Sequence, residues 1–177
     1  KEEFYETLRY FGRQIELKGV NLQLNQRVDA DMLNNSDFDE VIVATGIKPR
    51  VPGIEGVESN KVLGYLDVIK GAPVGKKVAV IGAGGIGFDV SEFLTHGKVS
   101  TSQDIEAFMK EWGVDMSMGA RGGIKGVKAE VEESPREVYL MQRKESKVGG
   151  GLGKTTGWIH RSGLVNKGVR MVPGCEY

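Results

Sequence analysis

Residues 76–97 read KKVAVIGAGGIGFDVSEFLTHG, and the way this stretch is parsed decides the fold. An unbroken apolar run at 78–81 ends at Gly82, and a helical pattern begins a few residues later. Strand, tight turn and helix in that order put Gly82, Gly84 and Gly87 in a GxGxxG frame. Gly82 permits the sharp bend, Gly84 lets the backbone approach a pyrophosphate, and Gly87 lets the helix lie close against the strand. The amino end of the helix offers N–H groups without intrahelical partners and a partial positive charge, which suit a phosphate. A glycine-rich turn without a ligand shares the bare spacing. The strand before it, the helix after it and further strands later in the chain favour the dinucleotide reading.

Working outward toward the C-terminus, REVYLMQRK (136–144) reads as a second strand. TTGWIHRSGLVNKG (155–168) reads as a helix, with Thr155 or Thr156 as N-cap and Gly168 just past its end. VRMVPG (169–174) reads as a third strand. Strands alternating with helices predict an α/β fold, a Rossmann-like parallel sheet with flanking helices. In such folds an acidic residue about 20 residues past the glycines binds the ribose 2′-hydroxyl of NAD. Here the second strand arrives about 60 residues on, so residues 98–133 read as an insertion, with one helix expected at SQDIEAFMKEWG (102–113). Gln142, Arg143 and Lys144 stand at the tip, with no carboxylate. Arg143 can grip a 2′-phosphate with its planar fork and Lys144 adds a second charge, so NADPH is expected over NADH. Solvated surface charge is the plainer reading of the pair; its position in the motif favours phosphate recognition.

VGGGLGKTTGWIHR (148–161) looks like a phosphate-binding P-loop, but its spacing fails. The glycine required five residues before the Gly of Gly-Lys-Thr is Val148, and RKESK separates the segment from the preceding strand. The expected role is a flexible cationic flap carrying Lys147 and Lys154 near the 2′-phosphate. Trp158 has two readings, packing on the nucleotide or packing in the core.

Toward the N-terminus, residues 1–19 carry Phe4, Leu8, Phe11 and Ile15 at helical spacing and end on Gly19. VNLQLN (20–25), QRVDADML (26–33) and DEVIVATG (39–46) read as strands, the last buried on both faces. FDEVIVATGIKPRVPGIEG (38–56) resembles the crossing motif of two-domain flavoproteins, in which the Ala44-Thr45-Gly46 turn lies against FAD. A proline-rich connector and then GxGxxG follow about 36 residues later, and this order is more specific than either motif alone. The expected division is 1–50 as the C-terminal part of an FAD-binding lobe, 51–75 as connector and 76–177 as an incomplete NADPH-binding lobe.

The chain has 177 residues, 40% hydrophobic and 27% charged, with 24 basic and 24 acidic side chains. Zero net charge gives no field that recruits nucleic acid or an anionic membrane. No apolar run approaches the length of about 18 residues that marks a membrane-spanning helix. The single cysteine, Cys175, excludes a disulfide frame, a zinc site or an iron–sulfur ligand set within the chain and fits a cytoplasmic location. His96, His160 and Cys175 form no catalytic set by sequence, so neither catalytic nor metal-ligating residues are expected here.

These residues together resemble the C-terminal, FAD/NADPH-binding portion of bacterial NADPH-dependent 2,4-dienoyl-CoA reductases, in the old-yellow-enzyme-like iron–sulfur flavoenzyme family. The matching stretches include KEEFYETLRYF, FDEVIVATGIKPR, KVLGYLDVIKGAPVGKKVAVIGAGGIGFD, LMQRK and GLGKTTGWIHR, with 119–133 the poorest match. The resemblance implies that the chain is a fragment of a two-dinucleotide-binding-domain flavoprotein. Missing domains would supply a TIM barrel with FMN, a 4Fe–4S centre and the rest of the FAD site. Electrons would pass from NADPH to FAD, through the cluster to FMN, and on to a dienoyl-CoA of unsaturated fatty acid β-oxidation. The partners implied are small-molecule nucleotides and those missing domains.

Carried over by the resemblance, Gly82, Gly84, Gly85, Ile86 and Gly87 match the NADPH pyrophosphate turn, Arg143 and Lys144 the 2′-phosphate site, and Trp158 the motif beside the nucleotide. Val28 matches the residue whose backbone meets the FAD adenine, and Ala44, Thr45 and Gly46 the FAD-side turn. Asp89 would point toward the nicotinamide, or else be an exposed first-turn acid favoured by the helix dipole. Trimethylamine dehydrogenase relatives suggest an alternative, a non-catalytic module holding ADP or another nucleotide.

Overall fold

A computed structural model describes residues 2–97, 100–119 and 126–177. Residues 98–99 and 120–125 of the expected insertion lie outside the described residues. The chain divides into two compact units, 1–52 and 53–177.

In the second unit, β1 (Lys77–Ile81), β2 (Glu137–Met141) and β3 (Arg170–Val172) form a parallel sheet in the order β1-β2-β3. Val78 pairs with Val138 and Ile81 with Met141; Leu140 pairs with Met171. This is the α/β, Rossmann-like parallel sheet with flanking helices that the sequence predicts. The crossover helices are α4 (Gly85–Thr95) after β1 and α6 (Gly157–Asn166) between β2 and β3. The alternation of side chains decides which sheet face they cover. Val138 and Leu140 point into the core, which they share with Phe88, Val90 and Leu94 of α4, Leu164 of α6 and Val169. Leu140, the centre of this core, is 0% exposed. Val68 of the short helix α3 (Tyr65–Ile69) joins the same core, so the proline-rich segment before β1 contributes to packing.

α6 ends as its sequence requires. The N–H of Gly168 donates to Val165 O at 3.0 Å and that of Val169 to Leu164 O at 2.9 Å, a paired closure that satisfies the last carbonyls. The segment 100–119 carries the expected helix as α5 (Ile105–Glu111), capped by the Asp104 carboxylate, which accepts from Ala107 N at 2.9 Å.

The first unit departs from expectation. Its N-terminal helix is present as a 3₁₀ turn at Glu2–Phe4 followed by α1 (Tyr5–Leu17), but no α1 residue is buried. None of the three strands expected at 20–25, 26–33 and 39–46 forms. Part of the second is helix instead, α2 (Ala30–Asn34), because the Asp29 carboxylate accepts from Met32 N at 2.9 Å and caps a helical turn. The run at 41–43 has no regular secondary structure, and its side chains are open: Ile42 is 88% exposed and Val43 77%. A strand needs a neighbour for its N–H and C=O groups. Among the described residues, no backbone hydrogen bond engages 41–46. The expected burial on both faces is therefore absent.

Among the described residues, no helix is long and apolar enough to cross a membrane, and no cluster of His, Cys, Asp and Glu could hold a metal ion.

Candidate nucleotide site

The site begins where β1 runs out. Gly82 takes φ +104°, a conformation that side-chain-bearing residues rarely adopt, and its N–H donates to Met141 O at 2.9 Å. The bend is thus fastened to the neighbouring strand. Gly84 is the N-cap of α4 and has open space where a side chain would begin. A Cβ on Gly87 would lie 1.8 Å from Gly82 O, so the helix can approach the turn only without a side chain there. The bend at Gly82 and the close approach at Gly87 match the geometry that the spacing assigns to them, and Gly84 leaves open the space its expected role requires.

Gly84, Gly85 and Ile86 are exposed, whereas Gly87 is buried. The first backbone bond into α4 is Phe88 N to Gly84 O at 3.1 Å, so the N–H groups of the first turn have no intrahelical acceptor. The first turn carries no acidic residue. Asp89 lies past it and is half-buried, so the reading of Asp89 as an exposed first-turn acid does not hold. An anion is the ligand that such a helix end can take, because both the free donors and the helix dipole favour negative charge.

Arg143 and Lys144 follow β2 at the same carboxyl edge of the sheet, close in sequence to the Met141 carbonyl that holds Gly82. Both are exposed, and neither side chain bonds to a described residue. The amide of Gln142 donates to Lys144 O at 2.9 Å and to Ser146 O at 2.6 Å. From the far side, Gly174 N donates to Lys144 O at 3.1 Å and Cys175 N to Gln142 O at 3.0 Å. The backbone beneath the two cations is fixed while their side chains are free.

The segment expected as a flexible flap is instead pinned down. Val148 is buried, and Leu152 packs against the same core. A Cβ on Gly149 would come within 2.7 Å of Phe88 Cζ, and one on Gly157 within 2.6 Å of Leu152 Cβ. The tight glycines let this loop press onto α4 and start α6, with Gly157 N donating to Gly153 O at 2.7 Å. Thr156 is the N-cap of α6, but its side chain makes no capping bond. The cationic part of the expectation remains, since Lys147 and Lys154 are exposed. Trp158 is 62% exposed and anchored by its indole N–H to Thr155 O at 3.0 Å, so it is not a core residue of this unit. Sequence reasoning missed Phe88, Gly149 and Leu152 as parts of this assembly; the available signal was a pair of glycines flanking one leucine.

The residues assigned to FAD lie in the other unit. Val28, Ala44, Thr45 and Gly46 are all exposed in segments without regular secondary structure, and Gly46 turns with φ +73°. Val28 is therefore not in a strand. These residues make no cradle among themselves, unlike the glycine turn and Arg143-Lys144, which the sheet brings to one edge.

At the opposite, amino edge of the sheet a groove of about 490 Å³ runs between Lys76 and the 133–137 segment. Beside it, the Glu137 carboxyl is held below its usual 4.5, chiefly by the hydrogen bond from the Tyr139 hydroxyl. Lys77 and Arg170 add to this against an opposing desolvation, and both cations also lie over the Tyr139 ring. The network ties three strands together at the edge away from the glycine turn.

A family model described as pyridine nucleotide-disulphide oxidoreductase matches residues 9–177, and the chain belongs to that family. Membership implies binding of FAD and NAD(P). Among curated proteins, a bilirubin reductase of Mediterraneibacter gnavus is 33% identical over 119 residues, covering 63% of this chain and 18% of its own length. A cinnamate reductase of Clostridium sporogenes is 36% identical over 77 residues, covering 43% of this chain and 11% of its own length. The structure of a 2-naphthoyl-CoA reductase in complex with 2-naphthoyl-CoA shares the fold, with a TM-score of 0.66 at 22% identity, over 98% of this chain and 21% of that one. The chain thus spans about a fifth or less of the length of these proteins.

Proposed function

We propose that this member of the pyridine nucleotide-disulphide oxidoreductase family is the nucleotide-binding part of a larger reductase, taking NADPH on the turn at 82–87 and passing its hydride to FAD. The observation that carries the reading is the shared carboxyl edge of β1 and β2. There the uncapped start of α4 and the unpaired Arg143 and Lys144 are fastened together through Gly82 N and Met141 O. In parallel α/β sheets this edge is where ligands bind.

When bound, the nicotinamide supplies a hydride and the flavin accepts it. The chain's part is recognition and orientation. Gly84, Gly85 and Ile86 present backbone N–H groups to the pyrophosphate, and Gly87 keeps α4 close enough for them to do so. Arg143 offers a bidentate fork to the 2′-phosphate and Lys144 a point charge. Trp158 lies exposed on α6 and offers a ring face to the nucleotide, and Asp89 sits one turn into α4 on the nicotinamide side. In the first unit, Val28 and the turn Ala44-Thr45-Gly46 contact FAD through backbone. In this reading residues 1–50 belong to an FAD-binding lobe, 51–75 link it and 76–177 form the NADPH-binding lobe.

For the whole protein, the reaction we favour is reduction of a 2,4-dienoyl-CoA, with FMN and a 4Fe–4S centre held in partner domains of the same polypeptide. Supporting this class, the two curated relatives are named for reducing bilirubin and cinnamate, both conjugated molecules.

The test is calorimetric titration of the full chain with NADPH and with NADH, before and after Arg143→Ala. NADPH is expected to bind at least about tenfold tighter, a difference of about 1.4 kcal/mol, and the mutation should remove most of that gap. Equal affinities in the unmodified protein would defeat the assignment of NADPH.

A further inference from the structure

Arg143 and Lys144 lie on a short turn whose shape is set from within by one side chain. Gln142 directly follows β2: its N–H donates to Val172 O at 3.0 Å, continuing the ladder, and its carbonyl accepts from Cys175 N at 3.0 Å. Its side chain is half-buried. It curls under the turn and uses both amide hydrogens, one on Lys144 O and one on Ser146 O, at 2.9 and 2.6 Å. Lys144 O also accepts from Gly174 N at 3.1 Å, so both of its lone pairs are engaged. The turn at 143–146 is therefore closed by the Gln142 amide on one side and by the exit of β3 on the other.

We infer that Gln142 is a positioning residue for cofactor choice, holding the 143–146 turn so that Arg143 and Lys144 present their charges together to a 2′-phosphate. The inference rests on the NADPH reading given above. An aliphatic side chain of the same length would take from Lys144 O one of its two donors and from Ser146 O the donor it has in the amide, and would loosen the turn. Arg143 would then bear the ordering cost of each bond it makes to phosphate, and a fork that must be ordered on binding gives weaker recognition than one already held. Both hydrogens of the Gln142 amide are spent on the turn and so are not available to the adenine, ribose or pyrophosphate. Its removal therefore acts selectively on the nucleotide that carries the extra phosphate.

The experiment measures the affinity of the full chain for 2′,5′-ADP and for 5′-AMP, probes that differ only in the 2′-phosphate. The proteins compared are the unmodified chain, Gln142→Met, Arg143→Ala and the double variant, with thermal melting recorded for each. Gln142→Met is nearly isosteric but donates no hydrogen bond. The expected result is a drop of about fivefold or more in affinity for 2′,5′-ADP with less than a twofold change for 5′-AMP. Because Gln142 acts through Arg143 as well as Lys144, the double variant should lose less than the sum of the two single losses. Equal weakening of both probes would overturn the inference, since that is what general damage to the fold produces. So would an unchanged ratio, or losses that simply add in the double variant.

Arg143→Ala separates this inference from the reading beneath it. If Arg143→Ala leaves the probe ratio intact, the NADPH assignment itself falls and the inference falls with it. If Arg143→Ala collapses the ratio and Gln142→Met does not, only the positioning role is lost. Should Gln142→Met fail to fold, Gln142→Asn applies the same criteria, since it keeps the amide but is one methylene too short to reach both carbonyls.

Discussion

Residues 41–46 and 78–82 each run from branched aliphatic side chains into a glycine with positive φ, +73° at Gly46 and +104° at Gly82, yet only the second run is a strand. The difference lies outside the runs. At 78–81 a parallel neighbour supplies Val138 and Leu140, and a helix covers them. At 41–46 no such neighbour stands among the described residues, and Ile42 and Val43 face solvent. β-propensity expresses how well a side chain fits a half-buried pleated surface, and where that surface is missing the propensity has nothing to act on.

The comparison can be broken most forcefully at the sheet. Leu140→Ala removes the centre of the core and should lower the unfolding free energy of the second unit by about 2–5 kcal/mol. Ile42→Ala, on a side chain of comparable size, should change stability by no more than about 0.5 kcal/mol. Chemical denaturation of the two variants checks both. A cost at Ile42 approaching that at Leu140 would mean that the run at 41–43 is packed after all.

A smaller effect is expected inside the glycine turn. Gly87→Ala places a methyl group against Gly82 O and should cost about 1–3 kcal/mol through overpacking, with loss of measurable NADPH binding. Gly84→Ala sharpens the contrast. Its Cβ enters open space, so melting should shift by only about 0.5 kcal/mol in stability, while the closest backbone approach to the pyrophosphate is blocked. Binding lost with stability kept at Gly84, and binding lost with stability lowered at Gly87, would separate the two glycine tasks. Loss of folding in Gly84→Ala would contradict the open space at its Cβ.

The smallest effect lies at the amino edge of the sheet. Glu137 has its carboxyl lowered from 4.5, so its charge favours the folded state above that value. The contribution fades as pH falls from 4.5 through the folded-state value. Glu137→Gln should therefore melt slightly below the unmodified chain at neutral pH and converge with it in acid. A gap that persists or widens in acid would assign the effect to packing rather than charge.

Much of the second unit was readable because its signals are local. GxGxxG after an apolar run, and the threonines before α6 with the Gly168 just past it, act within a few residues. The Arg143-Lys144 pair was legible because the end of β2 could be located. The first unit misled because its apolar runs announce strands whose partners are not among the described residues, and because the Asp29 cap was masked by the β-rich look of its surroundings. The loop at 148–157 misled for the reverse reason. A run of glycines reads as freedom, but at Gly149 and Gly157 it marks contact with Phe88 and Leu152, side chains that only the folded chain brings near.

Those two contacts bear on how such a chain can be inherited or recombined. Leu152 meets position 157 through its own Cβ, so trimming the leucine to alanine would not make room for a side chain there. Nor can position 149 enlarge while Phe88 keeps its ring. Substitutions that repair one another are thus nearly absent from this patch, and gradual drift has little path through it. Helix α4 and the loop at 148–157 are coupled through Phe88 and Gly149: a chimera with a homologue that carries a side chain at 149 should fold when both elements are exchanged together, and lose stability when the loop alone is.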